Sequence, residues 1–94
     1  MEMNVSTEAA NWYKTEFDLA QGAFLRFFVR YGGEGLIPGF SLGVKEATPD
    51  NALVRTEAAT IHFFIEESDA WYFEEKQVHV SLASEAEGPI IEYV

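Results

Sequence analysis

The sequence predicts a mainly β fold, α+β by content: a compact antiparallel β-sandwich or barrel-like assembly with one N-terminal helix packed on it. Three observations carry that prediction. One segment near the start of the chain has a helical apolar period, and from residue 23 onward the period changes to two. Short strand-like runs then recur at roughly ten-residue spacing, seven or so in all. Nothing between them resembles the crossover helix that a parallel pair requires.

The elements follow in order. Met3–Val5 reads as a short strand. Ser6 is a helix N-cap, its hydroxyl placed to accept from an orphan amide of the first turn, and Glu8 sits well near the positive helix end. Ala10, Tyr13 and Phe17 then share one face with Ala9 and Trp12 beside them, and Gly22 stops the pattern, which predicts a helix over about 7–19. In Phe24–Tyr31 one face carries Leu25, Phe27, Val29 and Tyr31, and the other carries Phe24, Arg26, Phe28 and Arg30. Both faces read as largely covered, as in a central strand. Glycines 32, 33, 35 and 39 with Pro38 make a loop, and Phe40, Leu42 and Val44 alternate with Ser41, Gly43 and Lys45 in the next strand. Thr48-Pro49-Asp50-Asn51 is a turn by composition. Leu53–Thr56, Ile61–Ile65, Ala70–Phe73, Val78–Leu82 and Ile90–Tyr93 complete the strands.

Composition narrows the function. The chain has 94 residues, enough for one domain spanning 1–94, and its 48% apolar content is that of a folding sequence. It has no cysteine, which removes disulfides, thiolate metal sites, thiol nucleophiles and cysteine-ligated clusters. The net charge is −10, which argues against nucleic acid, whose affinity comes from Lys and Arg displacing counterions. Residues 1–47 hold 6 acids and 4 bases, whereas residues 48–94 hold 10 acids and 2 bases. Residues 1–20 are mixed-polar and read as neither a signal peptide nor a spanning helix, so a soluble cytoplasmic protein with no membrane partner is expected.

Few residues point to chemistry. Gly32-Gly33-Glu34-Gly35 looks like a phosphate cradle, yet a strand follows where such loops open a helix, and Glu34 puts a negative charge at its centre. It reads as a glycine-hinged connection or as a loop presenting Glu34 as a metal ligand. His62 and His79 each leave the core between apolar neighbours. They are unrelated surface histidines, or a metal pair completed by Glu34 or Glu74 if their strands are adjacent. The run Glu66-Glu67-Ser68-Asp69 lacks calcium-loop spacing and reads as a solvated turn. Ser41 lacks a G-x-S-x-G elbow, and no constellation supports an enzyme. In Trp71-Tyr72-Phe73, strand alternation sends Trp71 and Phe73 to one face, where they form core or an exposed patch for self-association.

The order of these elements carries a resemblance. The N-terminal helix, Phe24–Gly33 with its glycine loop, Pro38–Val44 and Phe63–Phe73 together resemble the HesB-like family, which includes the A-type iron–sulfur cluster carriers. The chain is most similar to its short Firmicutes subgroup. The resemblance implies a compact β fold with a flanking helix, membership in iron–sulfur cluster biogenesis and a tendency to form homodimers. It also implies iron or an iron–sulfur cluster, held by one Cys in the glycine loop and a Cys-Gly-Cys near the C-terminus. Here Glu34 or a neighbour stands at the loop position, and the C-terminal stretch reads Ser84-Glu85-Ala86-Glu87-Gly88-Pro89-Ile90. One carboxylate does not replace three thiolates, so no cofactor is expected. Two readings follow. The protein is an iron–sulfur accessory acting by protein contact or weak iron binding, or it is an interaction module unrelated to iron that uses its acidic or aromatic surface.

Overall fold

Two sheets share one core in the computed structural model, which describes residues 1–84 and 87–94. The elements are β1 (Met3–Val5), α1 (Thr7–Glu16), β2 (Phe24–Tyr31), β3 (Phe40–Glu46), β4 (Ala52–Ala58) and β5 (Ile61–Glu66). A 3-10 turn (Glu67–Asp69) then leads into α2 (Ala70–Phe73), followed by β6 (Val78–Ser81) and β7 (Ile90–Tyr93). The larger sheet has the order β3-β2-β5-β4 and the smaller one β1-β6-β7. The mainly β sandwich expected from the sequence is present, with β2 in a central position. Of the stretch 84–90, where the family resemblance would place the Cys-Gly-Cys, Glu85 and Ala86 lie outside the described residues.

The sheets are mixed rather than antiparallel. β2 pairs with β5 in parallel (Leu25 opposite Phe63), and β1 pairs with β6 in parallel (Met3 opposite Val78). In each case the intervening chain supplies the crossover: β3, β4 and the connection between these opposite edge strands lie between β2 and β5, and most of the domain lies between β1 and β6. The rule that parallel pairs need a crossover therefore holds, although the β2–β5 crossover contains no helix.

α1 is capped as its sequence indicates. Ser6 Oγ accepts from the amide N–H of Ala9 at 3.1 Å, offsetting one of the orphan donors of the first turn. The helix ends at Glu16, three residues before the predicted boundary at about 19. Asp18 turns left-handed (φ 51°), the N–H of Leu19 reaches back to the carbonyl of Lys14, and Leu19 rather than Phe17 enters the core. Ala9, Ala10 and Tyr13 bury the helix face against the inner side of the larger sheet, with the Tyr13 ring 5.7 Å from Phe27 and 5.9 Å from Phe63. Met3, Val78 and Val80 from the smaller sheet join Leu25, Phe27, Ile61, Phe63, Ile65, Tyr72 and Phe73 in one cluster.

β4 and β5 meet through a two-residue turn, Ala59-Thr60, with φ of 50° and 68°. These are the positive angles of a tight hairpin turn, carried here without glycine or asparagine. Lys14 Nζ holds the turn from α1, donating to the carbonyl of Ala59 at 3.3 Å and to Thr60 Oγ1 at 3.1 Å. No helix among the described residues is long and apolar enough to cross a membrane.

Candidate functional site

The segment 70–73 is a short helix, and this decides what the surface presents. Three aromatic residues in a row satisfy a strand pattern, but the 3-10 turn ahead of them winds the chain into α2. Helical spacing puts Tyr72 and Phe73 together into the core and turns Trp71 outward. Phe73 is therefore fully buried and cannot take part in a surface patch, whereas Trp71 is 54% exposed.

Trp71 has company at the surface. Tyr31 ends β2 and Phe40 opens β3 directly opposite it, so the two strands splay an aromatic pair at their common end. Their rings lie 5.0 Å apart, and Trp71 meets Phe40 edge-on at 5.3 Å and 81°. The result is a ledge of three aromatic rings in which Tyr31 is 86% exposed. Such rings are the side chains that most often anchor protein contacts, because they bring large area at little entropic cost.

The glycine loop lies against this ledge and is tied to the core beneath it. Gly32 N–H donates to the carbonyl of Gly39 at 2.8 Å, closing the base of the loop. The buried Tyr72 hydroxyl accepts from the Leu36 amide at 2.7 Å and stands 3.5 Å from the Tyr93 hydroxyl. Burial, reinforced by the Tyr72 hydroxyl, pushes the Tyr93 phenol well above its usual value. Gly35 is required by close approach, since a Cβ there would collide with the Tyr72 hydroxyl and come within 2.8 Å of the Phe40 carbonyl oxygen.

The metal candidates are not brought together. Glu34 is exposed in the loop. His62 stands on the outer side of the larger sheet, stacked on Phe24 at 4.5 Å and 17°. His79 lies on β6 in the smaller sheet, 3.3 Å from Gln77 Oε1. The two histidine strands belong to different sheets, so the adjacency that a histidine pair requires is missing. No group of three or more His, Asp or Glu side chains converges on a possible metal position among the described residues. Tyr31 and Phe40 were not singled out by the sequence. The signal was their placement on either side of a glycine loop that the pairing register closes.

No family model matches the chain. Its sequence is 50% identical over 94 residues to a Bacillus subtilis protein named pyruvate dehydrogenase inhibitor, covering 99% of each chain. It is 35% identical over 88 residues to an uncharacterized protein of Staphylococcus saprophyticus, covering 87% of this chain and 88% of that one. It is 33% identical over 84 residues to an uncharacterized protein of Staphylococcus haemolyticus, covering 85% of each. Among solved structures it is similar to Escherichia coli SufA, described as involved in the biosynthesis of iron–sulfur clusters. That match has a TM-score of 0.61 and 16% identity, and covers 99% of this chain and 79% of the other. The likeness to SufA establishes the HesB-like fold.

Proposed function

Since the chain belongs to the family of the Bacillus subtilis protein named pyruvate dehydrogenase inhibitor, we propose that it acts by protein contact as an inhibitor of pyruvate dehydrogenase. The observation that carries this reading is identity of 50% along the full length of both chains. An aromatic ledge of Tyr31, Phe40 and Trp71 at the β2–β3 end, beside a loop bonded to Tyr72, supports this reading. In this reading the protein is cytoplasmic, non-catalytic and free of cofactor. The test is NADH formation by purified pyruvate dehydrogenase complex with increasing amounts of the protein. Saturable inhibition is expected, and Trp71→Ala, which removes a half-exposed ring, should weaken it at least ten-fold while the protein stays folded by circular dichroism. No inhibition at a large molar excess would refute the proposal.

The SufA-like fold favours a second reading, an accessory protein of iron–sulfur cluster biogenesis that has kept the scaffold and lacks the thiolates. Anaerobic reconstitution with iron and sulfide tests the ligand loss on which this reading rests, since a stable stoichiometric cluster chromophore would overturn it. Calorimetric titration with Fe(II), repeated on Glu34→Ala, tests the weak-metal version; an unchanged isotherm removes Glu34 from it. Light scattering tests the homodimer that the family resemblance implies.

A further inference from the structure

The bases of this acidic chain are gathered in one place. Of its six Lys and Arg residues, Arg26, Arg30, Lys45 and Arg55 all stand on the outer face of the larger sheet, opposite in alternation to the core residues Leu25, Phe27 and Phe63. The pairing register sets Lys45, Arg26, Phe64 and Arg55 in a single row across β3, β2, β5 and β4. At the spacing of paired strands that row is about 14 Å long.

The acids of the same face leave this charge largely free. Glu66 is engaged by the backbone N–H groups of Asp50 and Asn51, at 3.1 and 2.8 Å. Asp69 holds Arg26 at 2.9 Å. Glu57, opposite His62, is then set against the exposed Arg30, Lys45 and Arg55, on a chain whose net charge is −10. Two half-exposed aromatic platforms lie among the bases. The Phe28 ring rests on Gly43, where a Cβ would come within 2.5 Å of it, and Lys45 Nζ sits 4.9 Å from its centroid. The stacked pair Phe24–His62 makes the second platform.

We propose that this face docks an extended acidic segment of a partner protein, with carboxylates on Arg30, Lys45 and Arg55 and apolar side chains on Phe28 and on the Phe24–His62 pair. A second copy laid face to face would oppose these bases to themselves, so the face is not self-complementary. A nucleic acid strand would present a long run of phosphates to three bases without an ion-pair partner among the described residues, on a strongly acidic molecule, which disfavours it. A short acidic segment carries few charges, and at physiological salt it feels mainly the charges within about 8 Å of its path. The proposal rests on the protein-contact reading above and names the chemistry of the contact.

The experiment is fluorescence anisotropy with a fluorescein-labelled 12-residue peptide of Glu-Phe-Glu-Gly repeats. Its controls are the matching Lys peptide and a single-stranded dT oligonucleotide of equal length. The wild type should bind the acidic peptide in a salt-sensitive manner. Arg30→Glu combined with Lys45→Glu should weaken binding at least ten-fold, with Arg30→Gln/Lys45→Gln as the milder form if the reversal disturbs folding. Phe28→Leu should weaken it several-fold, and Lys76→Glu, away from the face, should leave it within two-fold. The proposal fails if the acidic peptide does not bind, if the double variant binds as the wild type does, or if the Lys peptide or the oligonucleotide binds more tightly. Pyruvate dehydrogenase inhibition is measured alongside. Inhibition without peptide binding sinks this proposal and leaves the inhibitor reading standing, while peptide binding through Arg30 and Lys45 without inhibition does the reverse.

Discussion

Tyr72→Phe removes one oxygen atom from the centre of the molecule and tests how the glycine loop is held. The ring is fully buried and keeps its packing as phenylalanine, so no cavity larger than the hydroxyl is left. What is lost is the bond from the Leu36 amide at 2.7 Å and the long contact to the Tyr93 hydroxyl at 3.5 Å. A net hydrogen bond contributes about 1 kcal/mol, and a partly buried N–H left without an acceptor raises the loss to about 2 kcal/mol. For a domain of this size the melting temperature should fall by roughly 5–15 °C. The Leu36 amide should exchange with solvent about 5- to 30-fold faster, because its opening now costs less. Tyr93→Phe gives the internal comparison, since it removes only the 3.5 Å contact and should cost less than half as much. Thermal denaturation and amide exchange provide both readouts. A melting temperature within 1 °C of the wild type, together with unchanged Leu36 protection, would refute the idea that Tyr72 pins the loop.

Four further outcomes are expected. Ser6→Ala deletes the side-chain acceptor of the Ala9 amide and should cost about 1 kcal/mol in denaturant unfolding. Replacing Ala59-Thr60 by Asn-Gly relieves two positive-φ residues, one of them β-branched, and should stabilise the protein by about 1 kcal/mol despite losing the Lys14–Thr60 bond. Asp69→Ala leaves the half-buried Arg26 guanidinium without its partner and should cost about 1–3 kcal/mol, more than an exposed ion pair would. Burial pushes the Tyr13 phenol from 10.0 up to about 12, so the folded state holds that proton more tightly than the unfolded chain does. Its contribution is intact below about pH 10 and lost as the pH rises through 12, for a total of about 3 kcal/mol. Tyr13→Phe should flatten that alkaline decline in stability measured by denaturant titration.

Local chemistry was readable from the sequence, and pairing was not. Ser6, the helix face of Ala9, Ala10 and Tyr13, the glycine loop and the alternation of Phe24–Tyr31 each depend on neighbours a few residues away. The parallel pairs depend on residues far apart, and no short window distinguishes a strand awaiting a parallel partner from one awaiting an antiparallel one. Trp71-Tyr72-Phe73 misled for a related reason: three residues are too few to separate a period of two from one of 3.6. The outer face of Phe24–Tyr31 looked covered because it holds two phenylalanines. The structure leaves Phe24 and Phe28 half-exposed among bases that come together only once β2, β3 and β4 are in register.

The pairing of Met3 with Val78 also sets an order of events during folding. The β2–β3 and β4–β5 hairpins close over short spans, while β1 has no partner until β6 has reached its place beside the core. Closing that long span carries the larger entropic cost and yields only a three-residue pairing, so the larger sheet should form first and the smaller sheet should dock onto it late. Changes in β1, such as Met3→Ala, should therefore speed unfolding and leave the refolding rate nearly untouched. The seam between β1 and β6 should be where the finished molecule first opens, read as the fastest exchange among its strand amides.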